Sequence, residues 1–168
     1  VMYDVHPNFQ KRVKEVMKQV KDKFQEYDEI LTGNVIFENR TKGVGYLSKE
    51  DAINYGVTGP TARASGVSCD VRKWFPYDGY ENLEFDEIVM EGGDCYARYM
   101  ARMEEMKQSV KIIEQLIDNI PEGDIVAKTK NVIKLPKGEF YQRVETARGE
   151  LGVYLVSDGA ASPYRIKY

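Results

Sequence analysis

Apolar residues recur at steps of three and four near the start of the chain. Phe9, Val13, Val16, Val20, Phe24, Tyr27 and Leu31 fall on one helical face, with lysines and acids on the other. Pro7 suits a first helical turn and Gly33 a stop, so the spacing predicts an amphipathic helix from about Pro7 to Leu31. A short helix is expected at LSKEDAINYG, where Ser48 can cap, Asp51 is its capping-box partner and Gly56 ends the turn. The longest helix should begin at the N-cap Asp94. Its seam is expected to be Tyr96, Tyr99, Met103, Met106, Val110, Ile113, Ile117 and Ile120, ending at Asn119 and Pro121. Such a helix would be roughly 40 Å long at ~1.5 Å per residue, a length suited to a bundle.

Beyond it the period changes. EFYQRVETA, LGVYLVS and PYRIKY are rich in β-branched and aromatic residues and are separated by Arg148-Gly149 and Asp158-Gly159, which are hairpin-type signals. They predict a small antiparallel meander. The fold class is therefore α+β, mainly helical. A helical part is expected over residues 1–123, containing an irregular loop over 56–93, and a β meander over 124–168. The loop sustains neither helical nor strand period and far exceeds the ~4–6 residues of an ordinary connection. It nevertheless carries Trp74, Phe75, Tyr77, Tyr80 and Phe85, so it is expected to pack on its own domain, a partner or a ligand cavity.

Composition narrows the function classes. The length of 168 residues suits one domain of ordinary size, and a net charge of −3 gives no bulk attraction to nucleic acid or anionic lipid. No apolar run reaches the ~18 residues that a membrane-spanning helix needs. His6 is the single histidine, and Cys69 and Cys95 are isolated. Zinc or an iron–sulfur cluster calls for about four ligands at short spacings, so no metal site is expected from these residues alone. The two cysteines are expected to be reduced, structural thiols. A chain that starts at Val1 without an initiator Met and stops inside PYRIKY is expected to be an internal piece of a longer polypeptide.

Arg63, Asp70, Arg72 and Lys73 stand out within the loop. They could form a positive wall beside a redox centre or anionic partner. Alternatively, Arg63 and Arg72 could pair with Asp70 or nearby acids and pin the loop to the helices, which spacing alone favours. Interleaved cations and aromatics also suit single-stranded nucleic acid, but the acidic balance and the lack of a second basic stripe argue against it. Met100, Met103 and Met106 could line a path for an apolar ligand; at helical spacing they are better read as core.

Three blocks carry a resemblance: TGPTARASGVSCDVRKWFPYDGYENLEFD, GDCYARYMARMEEMKQSVKIIEQ and PKGEFYQRVETARGELGVYLVSDGAASPYRIKY. In this order they closely resemble the 49 kDa (D-type) subunit family of the respiratory NADH:quinone oxidoreductase, complex I. GVGYLSKEDAINYGVTG matches more loosely, and the resemblance spans essentially the whole chain. It implies a fold like the large subunit of nickel–iron hydrogenases without the nickel. It also implies a peripheral place on the cytoplasmic side of the membrane, against the subunit holding the terminal iron–sulfur cluster and near the membrane arm. The cofactors implied are quinone and that neighbour's cluster, with none bound by this chain. The His and Tyr that the family uses to hold the quinone headgroup would precede Val1. What remains is scaffold, catalytically silent when isolated and able to self-associate through faces that neighbours would cover. Arg63, Asp70 and Arg72, in the RASGVxxDxRK block, are the residues expected nearest the quinone and cluster region.

The family commonly has an extra helix before the meander, and Asp124 to Leu135 is too short to hold it. That shorter form resembles the archaeal deazaflavin-dehydrogenase or ferredoxin-linked relatives and leaves the electron donor open. Two other classes compete. A membrane-bound nickel–iron hydrogenase large subunit would show C-x-x-C pairs near both ends of the full polypeptide. A non-enzymatic helical adaptor would use an apolar face to hold partners.

Overall fold

The computed structural model describes residues 3–129 and 132–168; Val1, read above as the start of an internal piece, lies outside them. Six helices and one sheet follow in order: α1 (Phe9–Tyr27), α2 (Val35–Thr41), α3 (Lys49–Asn54), α4 (Gly59–Arg63), α5 (Val71–Trp74), α6 (Cys95–Leu116), β1 (Gly138–Thr146), β2 (Gly149–Ser157) and β3 (Arg165–Lys167). The α+β, mainly helical class with a C-terminal antiparallel meander is what the periodicity predicts. The strands run β1-β2-β3, each neighbour antiparallel.

The first predicted helix extends past Tyr27 in a wider π-type turn, Asp28–Thr32, closed where the Gly33 amide donates to the Asp28 carbonyl. Its apolar face is only partly covered. Phe24 is buried and Met17 and Val20 pack with Tyr99 on Met103 and Val110, whereas Val16 is 48% exposed. Helix α2 was not predicted. Its sign is Asn34, whose side chain accepts from the amides of Ile36 and Phe37 and so supplies the cap that starts it. At α3 the Ser48 hydroxyl accepts from the Asp51 amide as expected, but the Asp51 carboxylate returns to that hydroxyl, not to the Ser48 backbone.

Helix α6 differs from its predicted form in two ways. It ends at Leu116, because the Asn119 side chain turns back to the Gln115 carbonyl and the Asn119 amide closes on Leu116. Its burial is also not one narrow seam. Tyr99, Met103 and Val110 face α1, while Met106 is 40% exposed. On roughly the opposite side, Ala97, Ala101, Glu105, Gln108, Ile112 and Gln115 form a second row, spaced three and four apart. Ala97 and Ala101 let the chain around Ala64, Ile88 and Met90 come close. Gln108 and Gln115 accept hydrogen bonds from the amides of Asp86 and Glu84, and the Gln115 amide group donates to the Glu84 carbonyl. Irregular backbone is thus satisfied by helix side chains where it cannot pair with itself.

The 56–93 segment carries two short helices, α4 and α5, and a 3₁₀ turn at Tyr80–Asn82. Each is too brief to produce a detectable period. The predicted separator Arg148-Gly149 is shifted by one residue: Ala147 and Arg148 form the turn, and Gly149 begins β2. Gly149 is also where the hairpin meets the loop. A Cβ on Gly59 or on Gly149 would strike the other segment, and the Thr58 hydroxyl accepts from the Glu150 amide. Only glycine permits that approach.

Candidate functional site

The loop, α6 and the hairpin converge on a set of buried charges. Gly59-Pro60 opens α4, which is just long enough to set Arg63 at its last position, pointing inward. Arg63 is 1% exposed. Its Nε and Nη2 both reach Glu105 Oε1 at 2.8 Å, and its Nη1 reaches Glu145 Oε1 at 2.9 Å. One guanidinium therefore joins α4, α6 and β1. The second oxygen of Glu145 accepts from the Val71 amide at 3.2 Å, and the Glu145 amide donates to the Tyr77 hydroxyl.

Asp70 caps α5. Its Oδ1 accepts from the Arg72 amide and from Arg72 Nε, and its Oδ2 accepts from Arg72 Nη2 at 2.7 Å. The Arg72 guanidinium also lies 4.9 Å from the centre of the Phe85 ring, whose face is shared with Lys73. Glu87 completes the set by accepting from Ser68 Oγ and from the amides of Cys69 and Asp70.

The protonation tendencies follow from these contacts. Burial alone would raise Asp70, but the Arg72 hydrogen bonds and charge outweigh it and hold Asp70 below the usual carboxylate range. Arg63 keeps its proton more firmly than usual, because Glu105 and Glu145 overcome the cost of burying it. Glu105 moves the other way for a carboxyl: burial pushes it up, and the Arg63 charge does not fully reverse this. The two partners differ because Arg63 is shared between two carboxylates, while Glu105 has half of one cation and the Glu145 charge nearby. The Cys69 thiol is likewise raised by burial and stays a thiol.

A cavity of about 370 Å³ opens beside the cluster, lined by Arg63, Arg72, Tyr80, Glu105, Glu145 and the turn residue Ala147, with Arg102 and Met106 from α6. Among the described residues, no group of three or more His, Cys, Asp or Glu is placed to hold a metal ion.

Arg63, Asp70 and Arg72 thus belong to one cluster, in which the pairing that their spacing suggests holds for Arg72 but not for Arg63. Arg72 pairs with Asp70, while Arg63 is neutralised by two acids distant in sequence. Glu105, Glu145 and Glu87 were not among the predicted residues. For Glu105 a sign existed: it is the one charged residue in a row otherwise made of Ala97, Ala101, Gln108, Ile112 and Gln115. For Glu145, inside a strand that reads as ordinary alternation, there was none.

Comparison with known proteins places this architecture. Residues 1–134 and 127–168 match the family model described as the 49 kDa subunit of respiratory-chain NADH dehydrogenase. The chain is 55% identical, over its full length, to 32% of the C/D-type NADH-quinone oxidoreductase subunit of Bacteroides thetaiotaomicron. It is 47% identical, over 99% of its length, to 45% of the D-type NADH-quinone oxidoreductase subunit of Clostridium beijerinckii. It therefore spans a third to a half of the curated relatives it matches. Among solved structures, a chain of the membrane-bound sulfane sulfur reductase, an archaeal respiratory membrane complex, is similar at 39% identity with a TM-score of 0.89. That likeness covers 96% of this chain and 45% of the other.

Proposed function

Because the chain belongs to the family of the 49 kDa subunit of respiratory-chain NADH dehydrogenase, we propose that it is the scaffold portion of a quinone-reducing subunit. In this reading the subunit passes electrons from the iron–sulfur cluster of a neighbouring subunit to quinone, inside an ion-translocating oxidoreductase. In this reading the cluster ligands come from the neighbouring subunit. This chain supplies a rigid wall: α6, the loop held along its polar row, and the hairpin locked to both by Arg63. The observation that carries the proposal is that lock, a buried guanidinium shared by Glu105 and Glu145 at the edge of a cavity, within a family of quinone oxidoreductase subunits. Arg63, Asp70 and Arg72 then act as positioning residues for the redox region, not as groups touching quinone.

Attachment to the membrane would come through the membrane arm, with the chain on the cytoplasmic side. None of the helices in the described residues is long and apolar enough to cross a membrane. A second reading, the same scaffold in a deazaflavin- or ferredoxin-linked relative, is in keeping with the likeness to a chain of an archaeal respiratory membrane complex.

The test uses the full-length subunit in its assembled complex. Arg63→Met should lower quinone reduction by tenfold or more, while an artificial acceptor placed before the quinone is still reduced at the original rate. Unchanged quinone reduction would remove Arg63 from any role there. Turnover of NADH or quinone by this chain alone would overturn the scaffold reading.

A further inference from the structure

The buried cluster around Arg63 is not electrically balanced. Among its most buried side chains Arg63 and Arg72 bring two guanidiniums, whereas Asp70, Glu105 and Glu145 bring three carboxylates; Glu87 is held by Ser68 and two backbone amides, and Arg102 stands exposed at the cavity. An unmatched negative charge away from bulk water is costly, and a carboxyl in that position commonly takes up a proton. The hydrogen bonds single out which one. Asp70 has both oxygens on Arg72. Glu145 has one on Arg63 and the other on the Val71 amide. Glu105 takes its Arg63 hydrogen bond, from Nε, on Oε1, where the charged Nη2 also lies at 2.8 Å, and no hydrogen bond to Oε2 is present among the described residues. No fully buried side-chain oxygen in the described residues lacks a partner, so Oε2 reaches solvent through the cavity that Glu105 lines.

We propose that Glu105 is a proton-holding carboxyl, which takes a proton from cavity water onto Oε2 and returns it, while Oε1 keeps its hold on Arg63. The exchange is a proton transfer between hydronium and carboxylate, giving water and the carboxylic acid, with no change of oxidation state. The charged and titratable groups that face Glu105 are Arg63 from α4, Arg72 with its partner Asp70 from α5, Tyr80 from the 3₁₀ turn, Glu145 from β1 and Arg102 from its own helix. Burial and the Glu145 charge favour the protonated form, and Arg63 and, less strongly, Arg72 oppose it. The inference rests on the function proposed above only for its use: quinone reduction consumes protons, and a loaded carboxyl beside that region would hold one ready.

Infrared difference spectra of the assembled complex, with glutamate labelled by ¹³C, test this directly. Lowering the pH from neutral should raise a labelled C=O band of a protonated Glu, with a midpoint above the ordinary carboxylate range. That band should vanish in Glu105→Gln and persist in Glu50→Gln, a site on α3 outside the cavity. If Glu105→Gln does not assemble, the wild-type band still reports, and Glu105→Asp should replace the labelled band with an unlabelled carboxylic C=O band of shifted midpoint. Absence of any such Glu band, or its survival in Glu105→Gln, overturns the proposal. A complex that shows the band yet reduces no quinone would sink the functional reading and leave this one standing.

Discussion

The two sides of α6 hold their neighbours by different physics. Toward α1, Tyr99, Met103 and Val110 meet Phe24, Met17 and Val20 in an apolar seam, with its directional contacts, the Tyr99–Thr32 hydroxyl pair and the exposed Lys21–Glu114 and Lys14–Asp118 ion pairs, at its margins. Toward the loop, small residues, two glutamines and Glu105 meet a backbone that has no ladder of its own. The seam needs only apolar volume of about the right size. The loop side needs particular atoms in particular places, because each unpaired backbone group or unshared charge there would stay unsatisfied. Substitution should separate the two sides.

The largest effect is expected from Arg63→Ala. It leaves Glu105 and Glu145 without their common cation, and breaking a buried pair costs about 3–5 kcal/mol, read as a lower denaturation midpoint. A loss no larger than that of an exposed ion pair would mean that the cluster is not holding the loop side together. Next comes Ala101→Leu, where no surface is exposed and Ala64 and Ala97 are in contact. Overpacking of this kind costs about 1–3 kcal/mol, whereas Met103→Leu across the helix conserves volume and should cost less. Equal losses would erase the contrast between the two faces.

Acidity should also act on one side only. Glu105 sits above its ordinary range, so its folded form binds the extra proton and stability rises as pH falls from neutral toward ordinary carboxylate values. Asp70 sits below its ordinary range, so its contribution is complete above the unfolded value and is lost as pH falls through the folded one. Hydrogen exchange of the α5 amides should therefore be slowest in the weakly acidic range. Glu105→Gln should remove the upper flank and Asp70→Asn the lower. A profile that matches the one measured along α1 would contradict this assignment. The smallest effect belongs to Gln115→Ala, about 1 kcal/mol, with faster exchange of the Glu84 amide as its local sign.

The same contrast explains what could be read in advance. The seam of α6 was legible because apolar side chains repeat with the helix. The caps Ser48 and Asp94 and the three strands were legible because their chemistry is local. Helix α2 was missed although its cap Asn34 was visible, because its seven residues are too few to show a period. The loop-facing row was missed because Ala, Gln and Glu carry no hydropathy signal. Arg63, Asp70 and Arg72 were recognisable as unusual charges in an aromatic loop, yet their partners were not all local. Asp70–Arg72 is two residues apart, while Glu105 and Glu145 lie 42 and 82 residues from Arg63.

By itself the sequence determined the class of fold, the positions of its main helices and strands and the family resemblance. All of these depend on residue order over short distances. The tertiary structure alone decided which charges meet, that three carboxylates share two guanidiniums, and which oxygen of Glu105 is left facing water. Electrostatic balance in a buried site depends on distances between segments that the chain order does not contain.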